Sequence, residues 1–258
     1  MRTMTAYTHL LGTGASISDP HRTTTMLALS DDAHSRSSLL VDCGGDALQR
    51  WQAVGGTFQE IAGLILTHRH PDHISGLPLL MEKLWLSDRD GDLPVCGYPA
   101  TLDQARRCMK AFAPVTAGWE GMPELIAHEV EGQPGATVWT DAPWHITSAP
   151  VSHGDTPTFG LRVAHESGAV VAYSCDTAPC DAVVKLAEGA DLLIHEATGA
   201  GPGHSSMVEA ADIARAAGVD RLVLVHLPPG PKHEPLEAAR DVFPETTLGV
   251  EGKSYSIA

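Results

Sequence analysis

Three histidines and one aspartate lie within six residues, in the segment His68-Arg69-His70-Pro71-Asp72-His73. The segment follows the apolar run Leu64-Ile65-Leu66-Thr67, whose unbroken hydrophobicity is typical of a strand buried on both faces. Neutral imidazole nitrogens and carboxylate oxygens are the usual protein ligands of zinc and related ions. The spacing therefore predicts a metal site at the end of a rigid strand. A histidine-rich helix N-terminus without metal is the simpler alternative, and it explains the spacing less well.

Three further candidate ligands follow other apolar segments. His153 comes after the predicted strand 145–151 and precedes a turn-rich segment, and Asp176 directly follows the apolar residues 170–175. His226 ends the apolar run 221–225 and is followed by prolines that continue neither a sheet nor a helix. One such residue alone is an ordinary strand end. Three of them, together with the first cluster, predict a larger metal centre.

The elements that must position these residues alternate along the chain. Predicted strands cover residues 7–11, 25–29, 38–41, 63–66, 95–97, 126–130, 137–139, 145–151, 158–163, 169–174, 192–195 and 221–225. Predicted helices cover residues 46–54, 74–85, 101–112, 180–188, 206–217 and 234–242. Two strand-rich halves with outer helices predict an α/β (α+β) fold of four layers, an αββα sandwich of two mixed sheets flanked by helices. The alternative is a doubly wound sheet, but no third glycine completes the dinucleotide-binding pattern after Gly12-Thr13-Gly14.

Length and charge limit the classes of function. The 258 residues contain no long flexible linker, so we expect one domain over residues 1–258. The formal net charge is −15, with 32 acidic and 17 basic residues. Sequence-independent binding of nucleic acids depends on lysine and arginine. The charge therefore disfavours an extended nucleic-acid surface, although a local basic patch stays open.

The cysteines and the hydropathy of the sequence predict the cellular compartment of the protein. The five cysteines form no CxxC pair, which indicates reduced thiols in the cytoplasm. Neither a secretory signal nor a run of about 20 apolar residues is present, so we expect a cytoplasmic protein without a membrane span. The sequence leaves the oligomeric state open, a homodimer included.

With these residues in view, the chain resembles a metallo-β-lactamase-fold hydrolase, and most of all the tRNase Z branch and its small phosphodiesterase relatives. Segments 11–14 and 41–44 are similar to the two glycine turns of that family, and 67–73 is similar to its HxHxDH signature. The resemblance implies two divalent ions. It would place one on His68, His70 and His153 and the second on Asp72, His73 and His226, with Asp176 as the bridge. Zn²⁺ is the expected ion, and Mn²⁺ or Fe stays open because nitrogen and oxygen ligands accept all three.

Two further segments are similar to the phosphodiester-cleaving members of the family. These are His195-Glu196-Ala197-Thr198 and Gly203-His204-Ser205. The resemblance implies that Glu196 orients His204, that His204 protonates the leaving alkoxide, and that Asp72 orients or deprotonates the attacking water. Ser206 and Glu209 form an S-x-x-E capping pattern, which places His204 just before a helix N-terminus that would favour a phosphate. We expect His195 to support the site rather than to bind metal.

The expected function is metal-dependent hydrolysis of a small or cyclic phosphodiester. Residues 114–144 lack the long glycine- and lysine-rich arm that grips RNA in tRNase Z, and they carry Glu120, Glu124, Glu129 and Glu131 instead. The proline-rich segment 228–232 also departs from the family pattern. A tRNase Z-like 3′ endoribonuclease is therefore an alternative. A lactone, thioester or β-lactam hydrolase would use the same metals, and a binding protein without activity would lack part of the ligand set.

Overall fold

Two seven-stranded sheets form the centre of the molecule. The computed structural model describes residues 5–32, 37–89, 91–230 and 236–257. The strands of the first sheet are β1 Ala6–Gly12, β2 Met26–Asp31, β3 Ser38–Val41, β4 Ile61–Leu66, β5 Leu93–Gly97, β6 Leu125–Glu129 and β14 Ser254–Ile257. Those of the second are β7 Ala136–Trp139, β8 Trp144–Pro150, β9 Phe159–His165, β10 Val170–Tyr173, β11 Leu192–Glu196, β12 Leu222–Val225 and β13 Thr246–Leu248. The described helices are α1 Ala47–Ala53, α2 Pro71–Ile74, α3 Leu77–Leu86, α4 Pro99–Thr116, α5 Asp181–Ala187, α6 Met207–Ala217 and α7 Leu236–Val242, with a 3₁₀ turn at Phe58–Glu60.

Both sheets combine parallel and antiparallel strands. The first has the order β14-β1-β2-β3-β4-β5-β6, antiparallel from β14 to β3 and parallel from β3 to β6. The second has the order β13-β12-β11-β10-β9-β8-β7, parallel from β13 to β10 and antiparallel from there to β7. Because parallel neighbours end at the same edge, each sheet has an edge where several carboxyl ends meet. Polar residues that follow these strands are thereby brought together.

Three apolar cores define the layers. Residues such as Leu10 and Ile65 of the first sheet pack with Phe159 and Ile194 of the second, so one core lies between the sheets. A second core joins the first sheet to α1, α3 and α4, and a third joins the second sheet to α5, α6 and α7. The predicted αββα sandwich of two mixed sheets is confirmed. In the described part of the chain, no helix is both long and apolar enough to cross a membrane.

The helix predicted over residues 74–85 corresponds to α3, but its predicted start is wrong, because Ile74 belongs to a separate short helix. The four-residue α2 ends at Ile74, and α3 begins at Leu77. Gly76 lies between them and approaches the turn after β3 closely. A Cβ at Gly76 would lie 2.0 Å from the backbone oxygen of Gly45. A side chain therefore has no room at this position, where the chain between α2 and α3 packs against the turn after β3.

The ends of several elements also differ from the prediction. Helix α4 runs over Pro99–Thr116 instead of 101–112, and the short edge strands β13 and β14 were not predicted. These strands have only three and four residues, too few for a clear hydrophobic alternation. The first residues of the helix predicted over 234–242 lie outside the described residues, and α7 is described from Leu236.

Helix α6 begins with the predicted capping box. The backbone N–H of Glu209 donates to Ser206 Oγ at 3.2 Å, and the N–H of Ser206 donates to Glu209 Oε2 at 2.8 Å. These bonds satisfy two N–H groups that a helix start otherwise leaves without partners. Gly218 ends the helix at φ 65°, a conformation that glycine adopts without steric cost. The box fixes the point at which the chain leaves the loop containing His204.

Replacing Ser206 with alanine is expected to lower the free energy of unfolding by about 1 kcal/mol, because one helix N–H loses its acceptor. Urea unfolding should show a lower midpoint with an unchanged m value. Ser87→Ala is the control, because Ser87 is the C-cap of a different helix, α3, and its replacement removes no N-cap acceptor. Equal midpoints for the two variants would contradict the role given to the capping box.

Candidate metal centre

The seven predicted ligands meet at one end of the sandwich. His68 follows β4, and His70 caps the short α2, which itself carries Asp72 and His73. The remaining three come from the second sheet, where they follow strands β8, β10 and β12: His153, Asp176 and His226. Both sheets therefore contribute side chains to one cluster, which we call the histidine-aspartate cluster.

Three residues near the cluster have left-handed backbone conformations. Asp42, Cys175 and His226 have φ values of 63°, 54° and 54°, and each lies at or just after the end of a strand. Non-glycine residues adopt this region at a cost, and such residues concentrate at functional sites. The turn lets the chain leave the strand sharply, so that a side chain faces the cluster instead of continuing the sheet.

One half of the cluster consists of His68, His70 and His153. One ring nitrogen of each lies within 4.8 Å of the others. Nδ1 of His70 is 3.1 Å from Nε2 of His153, while Nε2 of His70 is 3.0 Å from the Thr156 hydroxyl. Thr156 thus occupies the outer nitrogen and leaves Nδ1 facing the other two histidines. Three imidazoles in this arrangement match the donor set of a zinc-like ion.

The other half consists of Asp72, His73 and His226, which together with Asp176 offer atoms within 4.8 Å of one another. Nε2 of His226 lies 3.3 Å from Asp72 Oδ2, and Nε2 of His73 lies 3.6 Å from the same oxygen. The side chain of Ser16 also donates a hydrogen bond to Asp72. Sequence reasoning missed Ser16, because a serine in the loop after β1 gives no signal of its own.

Asp176 lies between the two halves. Its Oδ2 is 3.3 Å from Nε2 of His226 and 3.4 Å from Nε2 of His73. The same oxygen is 3.9 Å from Nε2 of both His68 and His153. Only 2% of this residue is exposed. One carboxylate oxygen therefore reaches histidines of both halves, the position that a bridging ligand requires.

The hydrogen bonding of the cluster fits metal ions. Nε2 of His68, Nε2 of His73 and Oδ1 of Asp176 are buried and have no hydrogen-bond partner. Buried polar atoms are otherwise nearly always paired, because an unpaired one costs about 1–3 kcal/mol. A divalent ion would satisfy such atoms. The three atoms belong to residues of the two groups of donors described above, so these residues suit two ions.

The ionisation states of the cluster residues also fit the binding of metal ions. Burial and the neighbouring histidines hold the pKa of His68 well below its usual range, so its ring is neutral, as a metal ligand must be. Burial raises the pKa of Asp176, but the charges of His226 and His73 outweigh it and hold that pKa well below normal. Although burial lowers the pKa of His73, Asp176 and Asp42 raise it well above normal. The carboxylates thus favour a positive charge at His73, which a divalent ion can supply in place of a proton.

Hydrogen bonds to residues around the cluster orient three of the histidines. Nδ1 of His73 lies 2.8 Å from Asp42 Oδ2, and Nδ1 of His153 lies 2.8 Å from the Gly203 carbonyl oxygen. Nδ1 of His226 lies 2.6 Å from the hydroxyl of Thr198, which donates to the His226 carbonyl oxygen. Each bond turns the other ring nitrogen towards the cluster. The roles of Asp42 and Thr198 were not predicted, although an aspartate directly after a buried strand was a usable signal.

Asp42→Asn is expected to weaken binding of metal by the His73 half of the cluster about 10- to 100-fold, since the carboxylate that orients His73 and supports its basicity is lost. Asparagine tolerates the left-handed backbone of this position, so the fold should persist. The measurement is competition with a chromophoric chelator. Asp88→Asn is the matched control, because Asp88 has φ 51° but is exposed and outside the cluster. An affinity equal in both variants would show that Asp42 does not support the site.

Glu196 and His204 form a pair beside the cluster. The fully buried Glu196 accepts hydrogen bonds through Oε1 from His204 Nδ1 at 3.0 Å and from the Ser205 N–H at 2.9 Å. Its Oε2 accepts from the Thr198 N–H at 2.8 Å. The hydrogen bond with Glu196 raises the pKa of His204. The carboxylate therefore fixes one ring nitrogen of His204 and favours the protonated imidazole.

The ring of His204 faces the histidine-aspartate cluster. It stacks on His226 with centroids 5.6 Å apart, and its centroid is 4.9 Å from that of His153. A nitrogen of His204 lies within 4.8 Å of donor atoms of His153 and Asp176. The side chain stays 26% exposed, so it can meet a substrate. His195, by contrast, is buried on β11, with Nδ1 2.7 Å from the Glu196 carbonyl oxygen, and belongs to none of the ligand groups among the described residues.

Both the sequence and the fold of this chain are similar to those of known proteins. The family described as Beta-lactamase superfamily domain matches residues 37–227. The chain is 32% identical to Ribonuclease Z from Methanothermobacter thermautotrophicus, over 95% of this chain and 96% of that protein. A solved metallo-β-lactamase-fold protein, YhfI from Bacillus subtilis, is 25% identical with a TM-score of 0.80, covering 98% of this chain and 99% of its own. Human tRNase Z, short form, has a TM-score of 0.77 at 24% identity, with coverage of 98% and 99%.

Proposed function

We propose that this chain, which belongs to the β-lactamase superfamily and to its ribonuclease Z-like branch, is a hydrolase that cleaves phosphodiester bonds with two divalent metal ions. The observation that carries the proposal is the Glu196–His204 pair beside the histidine-aspartate cluster. The cluster offers donors for the ions. The pair offers an acid for a leaving group, which distinguishes this site from one built for metals alone.

Seven residues would hold the ions. One would lie on His68, His70 and His153, and the second on Asp72, His73 and His226, with Asp176 shared between them. When bound, two such ions lower the pKa of a shared water and neutralise charge on phosphate oxygens. Zinc is the expected ion, because three imidazoles with a carboxylate form one of its usual donor sets. The same donors accept manganese or iron.

The protein side chains would complete the reaction. Burial raises the pKa of Asp72, but hydrogen bonds from His226 and Ser16 and the charge of His73 outweigh burial and hold the pKa well below normal. The carboxylate therefore stays ionised and would orient the attacking water by accepting a hydrogen bond from it, while the proton that the water loses passes to solvent. The water oxygen forms a bond to phosphorus while the bond from phosphorus to the leaving oxygen breaks. His204 gives that oxygen its proton, so the products are an alcohol and a phosphomonoester.

The acid favours a phosphodiester over a thioester, because a thiolate leaves well without a proton. A buried carboxylate that positions a histidine would add little in that reaction. It matters most where an unactivated alkoxide must leave, as from a phosphodiester. A lactone also releases an alkoxide, so the substrate panel below distinguishes it from a phosphodiester.

The substrate we favour is a small or cyclic phosphodiester. Between α4 and β7 the chain carries only short loops at residues 117–124 and 130–135, so the described structure has no extended arm there. Glu129 and Glu131 lie exposed in this region, and the net charge of −15 repels a polyanion. The second candidate is 3′ processing of RNA, which is favoured by relatives named Ribonuclease Z at 32–35% identity over 85–95% of the chain.

A substrate panel with the metal content measured alongside tests this proposal. It contains an aryl phosphodiester, a cyclic nucleotide, precursor transfer RNA, a lactone and a β-lactam. We expect turnover of the first two. Turnover of precursor transfer RNA at a higher kcat/KM would select the second candidate, and hydrolysis of only the lactone or the β-lactam would overturn phosphodiester cleavage altogether.

A further inference from the structure

A cleft of about 650 Å³ opens at the same end of the sandwich as the histidine-aspartate cluster. Strands β4, β5 and β6 are parallel, with Leu66 opposite Gly97 and Gly97 opposite Glu129. The residues after β5 and β6 therefore lie beside the segment that carries His68. These residues form one wall of the cleft, and the chain after β8 forms the other.

The cleft is connected to the cluster through the loop after β8. Val151, Pro157 and Thr158 line the cleft, and the same loop carries His153. Thr156, the neighbour of Pro157, makes the 3.0 Å contact with His70. The cleft and the cluster therefore share this loop, so the cleft lies beside the predicted ligands, although none of them lines it. The cleft is placed to receive a part of the substrate that is not the reacting phosphate.

The walls of the cleft are mainly apolar, and its charges are all negative. The apolar lining consists of Tyr98, Pro99, Val130, Pro150, Val151 and Pro157. Glu129 and Glu131 also line it, both in exposed positions, whereas no lysine or arginine does so in the described chain. Burying apolar surface of a ligand in such a cleft makes binding more favourable, whereas a second anion beside the two glutamates makes binding less favourable.

The start of helix α4 at the cleft does not change this balance. Pro99 has no N–H, and the N–H groups of Thr101 and Leu102 both donate to the Tyr98 carbonyl oxygen. An anion would need several uncommitted donors at a helix N-terminus. Most are already used here. The cleft therefore lacks the features of a second phosphate site.

We propose that the cleft binds one ester group of the phosphodiester, and that this group has an apolar body, neutral or cationic, without a second phosphate. The inference rests on the proposed function and narrows its substrate class. It predicts a diester with a single negative charge, such as an aryl, nucleoside or amino-alcohol ester. It predicts slower turnover of substrates that carry a further phosphate on this ester group.

Four p-nitrophenyl phosphodiesters test this, because they share a leaving group and differ only in the second ester group: methyl, phenyl, choline or phosphoethyl. The readout is the ratio of kcat/KM values between esters within each protein. The double variant E129K/E131K makes the rim of the cleft basic, and Ala100→Trp fills the cleft from the start of α4. Glu124→Lys is the control, because it makes one such charge reversal at an exposed position next to the other end of β6.

The wild-type chain should favour the phenyl and choline esters over the phosphoethyl ester by roughly tenfold or more. E129K/E131K should reduce or reverse that ratio, and Glu124→Lys should keep the wild-type value. Ala100→Trp should lower the phenyl-to-methyl ratio by roughly tenfold. Equal ratios in the wild type, E129K/E131K and Glu124→Lys would overturn the assignment of the cleft while leaving phosphodiester hydrolysis intact. Failure to hydrolyse any of the four esters would instead overturn the proposed function, and the cleft assignment with it.

Discussion

Asp176→Ala is expected to lose bound metal and activity together, with kcat reduced by about 10⁴-fold or more. Its Oδ2 lies within 3.9 Å of four histidine nitrogens, two from each half of the histidine-aspartate cluster. Without this carboxylate, four buried imidazoles would face one another, and two ions would repel each other without the shared negative charge. The measurements are metal content after gel filtration and turnover of an aryl phosphodiester.

The control for this variant is Asp155→Ala. Asp155 lies two residues beyond His153 but is exposed, and it belongs to none of the ligand groups. It should keep full metal content and activity. An Asp176→Ala protein that retained two ions and normal turnover would remove Asp176 from the bridge. A folded Asp176→Ala protein, checked by circular dichroism, excludes general unfolding as the cause of a loss.

His204→Ala is expected to have an effect that depends on the leaving group. With an alkyl leaving group, kcat should fall about 10²- to 10⁴-fold, the range for loss of a positioned general acid. With p-nitrophenolate, which leaves without a proton, the loss should be small. The reason is the 3.0 Å bond to Glu196, which fixes Nδ1 and raises the pKa of His204, so that the ring holds a proton for the leaving oxygen.

Measuring the metal content of His204→Ala distinguishes a role of His204 as a general acid from a role in metal binding. His204→Ala should retain two ions, since the seven ligands remain. Glu196→Gln should show the same dependence on the leaving group to a smaller degree, because the amide keeps the shape but not the charge. His145→Ala, which removes an exposed histidine from β8, is the control and should behave as wild type. An equal loss on alkyl and aryl esters would contradict the role of His204 as an acid.

The sequence, together with its resemblance to a known family, was sufficient to predict the sandwich and the proximity of the seven predicted ligands. Long apolar runs such as Ile61–Leu66 identify buried strands, and ligands that follow parallel strands must end at one edge. Short elements gave no such signal. The edge strands Thr246–Leu248 and Ser254–Ile257 depend on pairing with β12 and β1 across the fold. The close packing of Gly76 against Gly45 is likewise visible only in the folded structure.

The orienting contacts could not be predicted in the same way. Thr156 contacts His70, and Thr198 contacts His226, across 86 and 28 residues of chain. Hydroxyl residues are common in loops, so only the folded structure shows which of them meet a histidine. The left-handed conformations of Asp42 and Cys175 were likewise hidden, since neither residue is a glycine. The roles of the ligands and of His204 themselves stay predictions until metal and turnover are measured.

The most direct test of two-metal phosphodiester hydrolysis is a titration of the metal-free chain with zinc, in which bound metal and turnover of an aryl phosphodiester are recorded together. We predict that activity is absent from the metal-free chain and rises to its maximum when two ions are bound per chain. Full activity without metal, or two bound ions with no phosphodiester turnover, would contradict the function assigned to the histidine-aspartate cluster.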